Sequence, residues 1–228
     1  LLKGDLMLSI LSYMRQGEYL LAIIAIFSRC FVVFCCMPIH EAAHAFIAYK
    51  LGDDTAKRQG RLTLNPLAHL NPLGTIMIFL FGIGYGQAVP VDERNFKNPK
   101  AGMALTALAG PVSNLLLGWV SVWLYYILYR FAPSTSVTYA VLEFFLFSAQ
   151  VNVMLAVFNI LPIPPLDGSK ILAGVLPDKV YYKYMQYERY VMIALMILLF
   201  TGLLDTPISF LTNIMLRFIA IIPNAIFG

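Results

Sequence analysis

Residues 19–51 are almost continuously apolar, and comparable runs recur at 101–131, 137–161, 190–204 and 207–227. A helix needs about 20 apolar residues to cross the hydrocarbon core of a bilayer, and these runs lie near or above that length. The rest of the chain agrees. Only 12% of residues are charged and 60% are hydrophobic, against about 25% charged in a soluble domain. The expected fold class is an all-α polytopic membrane protein, with residues 1–228 forming a single domain. Its core is expected at about 19–172, with additional helices at about 190–228. The net charge of +4 needs no nucleic acid to explain it, because cytoplasmic loops of membrane proteins are ordinarily basic. The first twenty residues lack the basic start and small-residue cleavage site of a secretory signal peptide. Cys30, Cys35 and Cys36 share one apolar run without a CxxC pair and read as buried, unreactive thiols.

Between the first two long runs lies a polar segment, 52–72, whose alternating "RLTL" reads weakly as a short strand. Residues 73–86 are apolar but short for a crossing, with glycines at 82, 84 and 86. Charge placement decides how to read them. If this stretch dips into the membrane and returns, segments 50–72, 87–100 and 162–189 share one face with eleven Lys and Arg, against three opposite. If it crosses, the split is nine against five. Positive charge favours the cytoplasmic side, so the first arrangement is preferred. It gives about six membrane segments: five full spans plus a re-entrant or short-strand element at about 60–90. The 52–72 face is then cytoplasmic.

Inside the first run stands "MPIHEAAHAF", with Pro38 offering a kink just before His40. His40 and His44 are one helical turn apart, so both imidazoles project from the same face and can grip one ion. Glu41 can reach a water on that ion. Zinc brings the pKa of such a water towards about 7, and a carboxylate can take its proton as the oxygen attacks a carbonyl. Ionisable groups inside a span are costly, which makes function their default reading.

A catalytic zinc usually takes three protein ligands and keeps an open position. His44 lies near the cytoplasmic end of its helix, so the site should be ~10 Å below that surface. Glu143 starts its span at the opposite face. Asp53, Asp54, Asp92, Glu93, Asp178 and Glu188 read as loop acids in water. Asp5 and Glu18 are N-terminal, and Asp205 lies in a turn on the far side. Asp167 remains. It follows "NILPIPPL" on the correct side, where prolines forbid regular helix and Gly168 allows a sharp turn. One zinc per chain is expected on His40, His44 and Asp167. An alternative is a metal transporter or sensor using the histidine pair, which would need a polar path to the far face and leaves Glu41 without a task. A membrane-anchored protease acting on soluble chains would need a later Glu as third ligand, and no suitable one exists.

"HEAAH" in a span, "AGPVSN" in a later one and "NILPIPPLDG" after the next resemble the site-2 protease family, the intramembrane zinc metalloproteases. The likeness covers about residues 38–172 and is nearest the small prokaryotic branch without PDZ or CBS domains. It implies that His40, His44 and Asp167 bind Zn2+ and that Glu41 is the general base. It further implies that Asn114 orients substrate or stabilises the oxyanion, and that Asn159 holds the broken helix. The implied substrates are single-span membrane proteins cut within the lipid bilayer of a prokaryotic cell membrane, at an active site nearer the cytoplasmic face. Relatives commonly carry an acid where this chain has Asn71, which leaves the part played by 69–71 open; His69 itself reads as structural.

Overall fold

The computed structural model describes residues 9–81 and 86–228. Its helices are α1 (Ser9–Arg15), α2 (Tyr19–Phe31), α3 (Met37–Lys50), α4 (Thr55–Arg58), α5 (Pro72–Phe81), α6 (Pro99–Phe131), α7 (Ser136–Ile160), α8 (Asp167–Ala173), α9 (Asp178–Met185), α10 (Glu188–Phe200) and α11 (Asp205–Phe227). No strand occurs among the described residues. The chain is an all-α polytopic membrane protein. Within the described residues four helical stretches are long and apolar enough to cross a bilayer: Tyr19–Lys50, Pro99–Phe131, Ser136–Ile160 and Asp205–Phe227.

The 32-residue Tyr19–Lys50 stretch joins α2 and α3 through a π-helical turn at Val32–Cys36, closed by Met37 N–H on the Val32 carbonyl. Pro38 has no N–H to offer the turn before it. The ladder instead widens by one residue immediately N-terminal to the proline, a device frequent at functional sites. Cys36 is buried here and takes a 3.4 Å contact from Asn152 Nδ2. Cys35 faces outward, so the expectation of uniformly buried thiols fails at that position.

Helix α6 is the hub and packs on α3, α7, α8 and α11, while α2 lies on α7 and α1 on α2. One core cluster joins α5, α7, α10 and α11 through Met77, Met154, Phe158, Leu195, Leu199 and Ile208. A second joins the π turn to α5 and α7 through Val32, Val33, Cys36, Ile78, Val151 and Leu155.

The short elements position the site. Helix α5 has 10 residues, or ~15 Å of rise, about half a hydrocarbon core. Before it, Asn71 Oδ1 accepts from Gly74 N–H at 3.0 Å, so Asn71 caps the helix start that Pro72 opens. Beyond it, Gln87 N–H donates to the His69 carbonyl at 2.7 Å. The chain therefore comes back to where it left, as a re-entrant element must. Gly82 and Gly84 lie outside the described residues.

The strand expected at "RLTL" does not form, because its neighbours are a loop and a side chain rather than a second strand. Residues 190–204 do not make a full span either. Helix α10 has 13 residues, ~20 Å, and ends before Gly202, which adopts the left-handed φ of 72°.

Candidate metal centre

The HEAAH segment lies on α3, whose end is fixed by Gly52 at φ 111°. Gly52 N–H bonds the Tyr49 carbonyl and Asp53 N–H the Ala48 carbonyl, a paired closure of the last turn. Asp53 then enters the interior with 0% exposure. Its carboxylate accepts from Thr55 N–H and Oγ1–H, from Asp92 N–H and from Asn95 Nδ2. The expectation that Asp53 is a solvated loop acid is thus overturned: it knots the exit of α3 to the approach to α6. Burial works to raise its carboxyl, but these hydrogen bonds outweigh that and hold it below the usual carboxylate value.

The spacing within HEAAH brings His40 and His44 to one face, with Nε2 atoms 3.1 Å apart. Asp167 Oδ2 stands 3.3 Å from each. Four donors at ~2.0–2.1 Å around a tetrahedral zinc are separated from one another by about 3.3 Å. The three atoms therefore form one face of such a tetrahedron. Hydrogen positions agree. His44 Nδ1 lies 2.7 Å from the Thr106 carbonyl, so it carries the proton, and Nε2 keeps its lone pair for a metal. Among the described residues these three form the one group of His, Cys, Asp and Glu with converging donors, and they fit Zn2+.

Asp167 reaches the pair because the chain breaks sharply after α7. The Pro164–Pro165 peptide is cis. Leu166, buried in the core, places Asp167 at the first turn of α8. Ser169 Oγ donates to the Leu166 carbonyl at 2.7 Å and fixes the bend. Gly168 serves close approach rather than turning: a Cβ there would collide with the Ile160 and Leu161 carbonyls. Asp167 Oδ2 faces both Nε2 atoms and so supplies the third donor.

Glu41, 6% exposed, is not one of the three converging donors. It faces a cavity of 170 Å³ that also exposes His40, His44 and Asp167, with largely apolar walls including Met103, Leu195 and Met196. Ala88, Val89 and Val91, just after Gly86, form another wall. Gly86 itself presses on Glu41, since a Cβ there would lie 2.9 Å from Glu41 Oε1. Asn159 lines the cavity, whereas the break after α7 is closed by the backbone bonds of Leu161, Ile163 and Leu166. Asn114 sits one turn beyond Gly110 on α6, with 0% exposure and neither amide atom bonded to protein. It does not line the cavity. His69 is buried and its Nε2 donates to the Thr63 carbonyl at 2.9 Å, a structural role.

Gly110 stands in the AGPVSN segment, but its part in the metal centre is not evident from the sequence. A Cβ there would strike His40 Nε2 and His44 Nε2, so only glycine lets α6 pass this close to the donors. It is one of a series of buried residues four apart, Gly102, Thr106, Gly110, Asn114 and Gly118, a spacing that keeps them on one helix face. That series was the available signal.

Comparison with known proteins identifies the family. The signature of Peptidase family M50 matches residues 127–201. YwhC of Bacillus subtilis (strain 168), provisionally named a zinc metalloprotease, is 43% identical over 72% of this chain and 76% of its own length. Rip2 of Mycobacterium tuberculosis (strain ATCC 25618 / H37Rv), named in the same way, is 32% identical over 70% of this chain and 61% of its own. Rip2 of Mycolicibacterium smegmatis is 29% identical over 73% and 64%. No solved structure gives a significant match. The chain belongs to peptidase family M50, the site-2 protease family. It is a membrane zinc metalloprotease, which displaces the transporter or sensor alternative.

Proposed function

We propose that the protein is an intramembrane endopeptidase that hydrolyses peptide bonds within or near the transmembrane helices of single-span membrane proteins. In this reading residues 1–228 form one catalytic domain of a prokaryotic cell membrane, with its site nearer the cytoplasmic face. The observation that carries it is the donor triangle that His40 and His44 of a membrane-spanning helix make with Asp167, opening with Glu41 onto a largely apolar cavity.

His40, His44 and Asp167 hold the zinc in this scheme. Bound zinc supplies the Lewis acidity that makes water nucleophilic near neutral pH and polarises the scissile carbonyl. Glu41 accepts the proton of the attacking water and later delivers it to the leaving amine. Thr106, through its carbonyl on His44 Nδ1, keeps that imidazole in the tautomer that leaves Nε2 free to coordinate. Asn114 lies behind the cavity wall with an unpartnered amide; the family resemblance assigns it to the substrate or the oxyanion, where a neutral amide can donate a hydrogen bond to developing charge. A helical peptide bond is shielded by its own ladder, so the substrate must unwind, and an extended strand can then lie along residues 86–91.

The test is incubation of purified zinc-loaded protein with a single-span membrane protein in detergent micelles, followed by mass spectrometry of the products. The expected result is a cut within the apolar segment by the wild type and none by Glu41→Gln. Cleavage confined to soluble chains, with the membrane segment intact, would contradict the proposal.

A further inference from the structure

The cavity wall at 86–91 is tied to the rest of the protein at Gln87. Gln87 is held at both of its backbone groups. Its N–H donates to the His69 carbonyl at 2.7 Å, and its carbonyl accepts from Arg61 Nη2 at 2.5 Å. The same nitrogen lies 3.5 Å from the Ala88 carbonyl. His69 is itself tied back to Thr63, two residues after Arg61. These contacts form a closed loop, Arg61 to Thr63 to His69 to Gln87 and back to Arg61.

Local structure aims the guanidinium. Gly60, at φ 68°, ends α4, with Gly60 N–H on the Lys57 carbonyl and Arg61 N–H on the Ala56 carbonyl. This closure of the last turn fixes how the chain leaves the helix. Arg61 is thereby delivered beside Gln87, 26 residues away in sequence.

The wall that Arg61 holds is the one facing the chemistry. Gly86 touches Glu41, and Ala88, Val89 and Val91 line the same cavity as His40, His44 and Asp167. Arg61 Nη2 holds the Gln87 carbonyl and lies against that of Ala88, so the chain that lines the cavity from Ala88 to Val91 is anchored at its start. We infer that Arg61 is a positioning residue: by pinning the Gln87 and Ala88 carbonyls it fixes the 88–91 wall of the cavity that holds Glu41 and the metal donors, against which the substrate chain lies. This rests on the proposed proteolysis of membrane-embedded chains. Arginine suits the task because its guanidinium stays charged and holds its donors in a rigid plane, which a lysine ammonium does not.

The test compares full-length wild type, Arg61→Ala and Arg61→Lys, each zinc-loaded. The substrate is a single-span membrane protein with a Gly-Pro pair in its span, in detergent micelles. Steady-state kinetics and zinc content are read alongside hydrogen exchange of the amides of 87–91. Losing a charge-assisted hydrogen bond should raise KM about tenfold in Arg61→Ala with kcat within about twofold, and speed exchange at 87–91 about tenfold. Zinc content should not move, and Arg61→Lys should recover part of both effects. Unchanged exchange in Arg61→Ala overturns the brace. Faster exchange with unchanged KM, or a fall in kcat together with zinc, overturns the positioning role. If the wild type leaves this substrate intact, the substrate assignment fails on its own, and exchange alone decides whether Arg61 holds the wall.

Discussion

The two halves of α6 are built on opposite plans. Up to Gly118 its buried face carries Gly102, Thr106, Gly110 and Asn114 at intervals of four. There the helix backbone comes close enough for the Thr106 carbonyl to meet His44, and for Gly110 to lie against both imidazoles. Beyond Gly118 the helix turns aromatic. Trp119 meets Trp123 edge-on at 5.7 Å, Trp123 and Phe131 meet Phe227 of α11, and Tyr126 hydroxyl donates to Asn224 Oδ1. One half serves by what its side chains leave out, the other by the surface they add. The metal centre thus depends on backbone approach, where one methyl group is too much, while the aromatic half depends on packing that spreads over several rings.

That contrast is tested most severely at Gly110. Gly110→Ala puts a methyl group where the donor nitrogens converge, and metal affinity should fall about 100-fold or more, with proteolysis lost. Competition with a chelator would measure it. Wild-type affinity in Gly110→Ala would break the comparison.

The approach to the same half of α6 is fixed by Asp53. Asp53→Ala strands several buried donors and should lower stability by about 3 kcal/mol, read from thermal melting in detergent. The pH dependence has a definite sign. Because the folded carboxyl is held below its usual value, its contribution is present above about pH 4 and fades as pH falls through the depressed folded value. Asp53→Asn should flatten that acid limb. The smallest effect belongs to the aromatic half. Trp123→Leu should cost only about 1 kcal/mol, with zinc content unaltered. A loss of zinc in Trp123→Leu would mean that the two halves are not separable.

The histidine pair was legible in the sequence because its geometry is local: one helical turn separates His40 from His44. Asp167 was reached only by setting the other acids aside, and one of these, Asp53, is buried rather than solvated. The return of the chain after α5, where Gln87 N–H meets the His69 carbonyl, agrees with the charge count, which gathers eleven basic residues on one face if 73–86 dips and returns. What escaped was long-range. Arg61 finds Gln87, Asp53 finds Asp92 and Asn95, and Gly110 finds two imidazoles, each across a loop or another helix. Nothing in the alternation of "RLTL" reveals that its neighbours are a histidine ring and a single returning segment rather than a strand. Likewise a loop acid such as Asp53 looks solvated until its four donors are assembled around it.

The most direct test of the central claim is zinc per chain in the purified wild type, Glu41→Gln and Asp167→Ala. With His40, His44 and Asp167 as ligands and Glu41 as base, the wild type and Glu41→Gln should each hold about one zinc, and Asp167→Ala should lose it. Zinc retained in Asp167→Ala but lost from Glu41→Gln would make Glu41 the ligand and contradict the account.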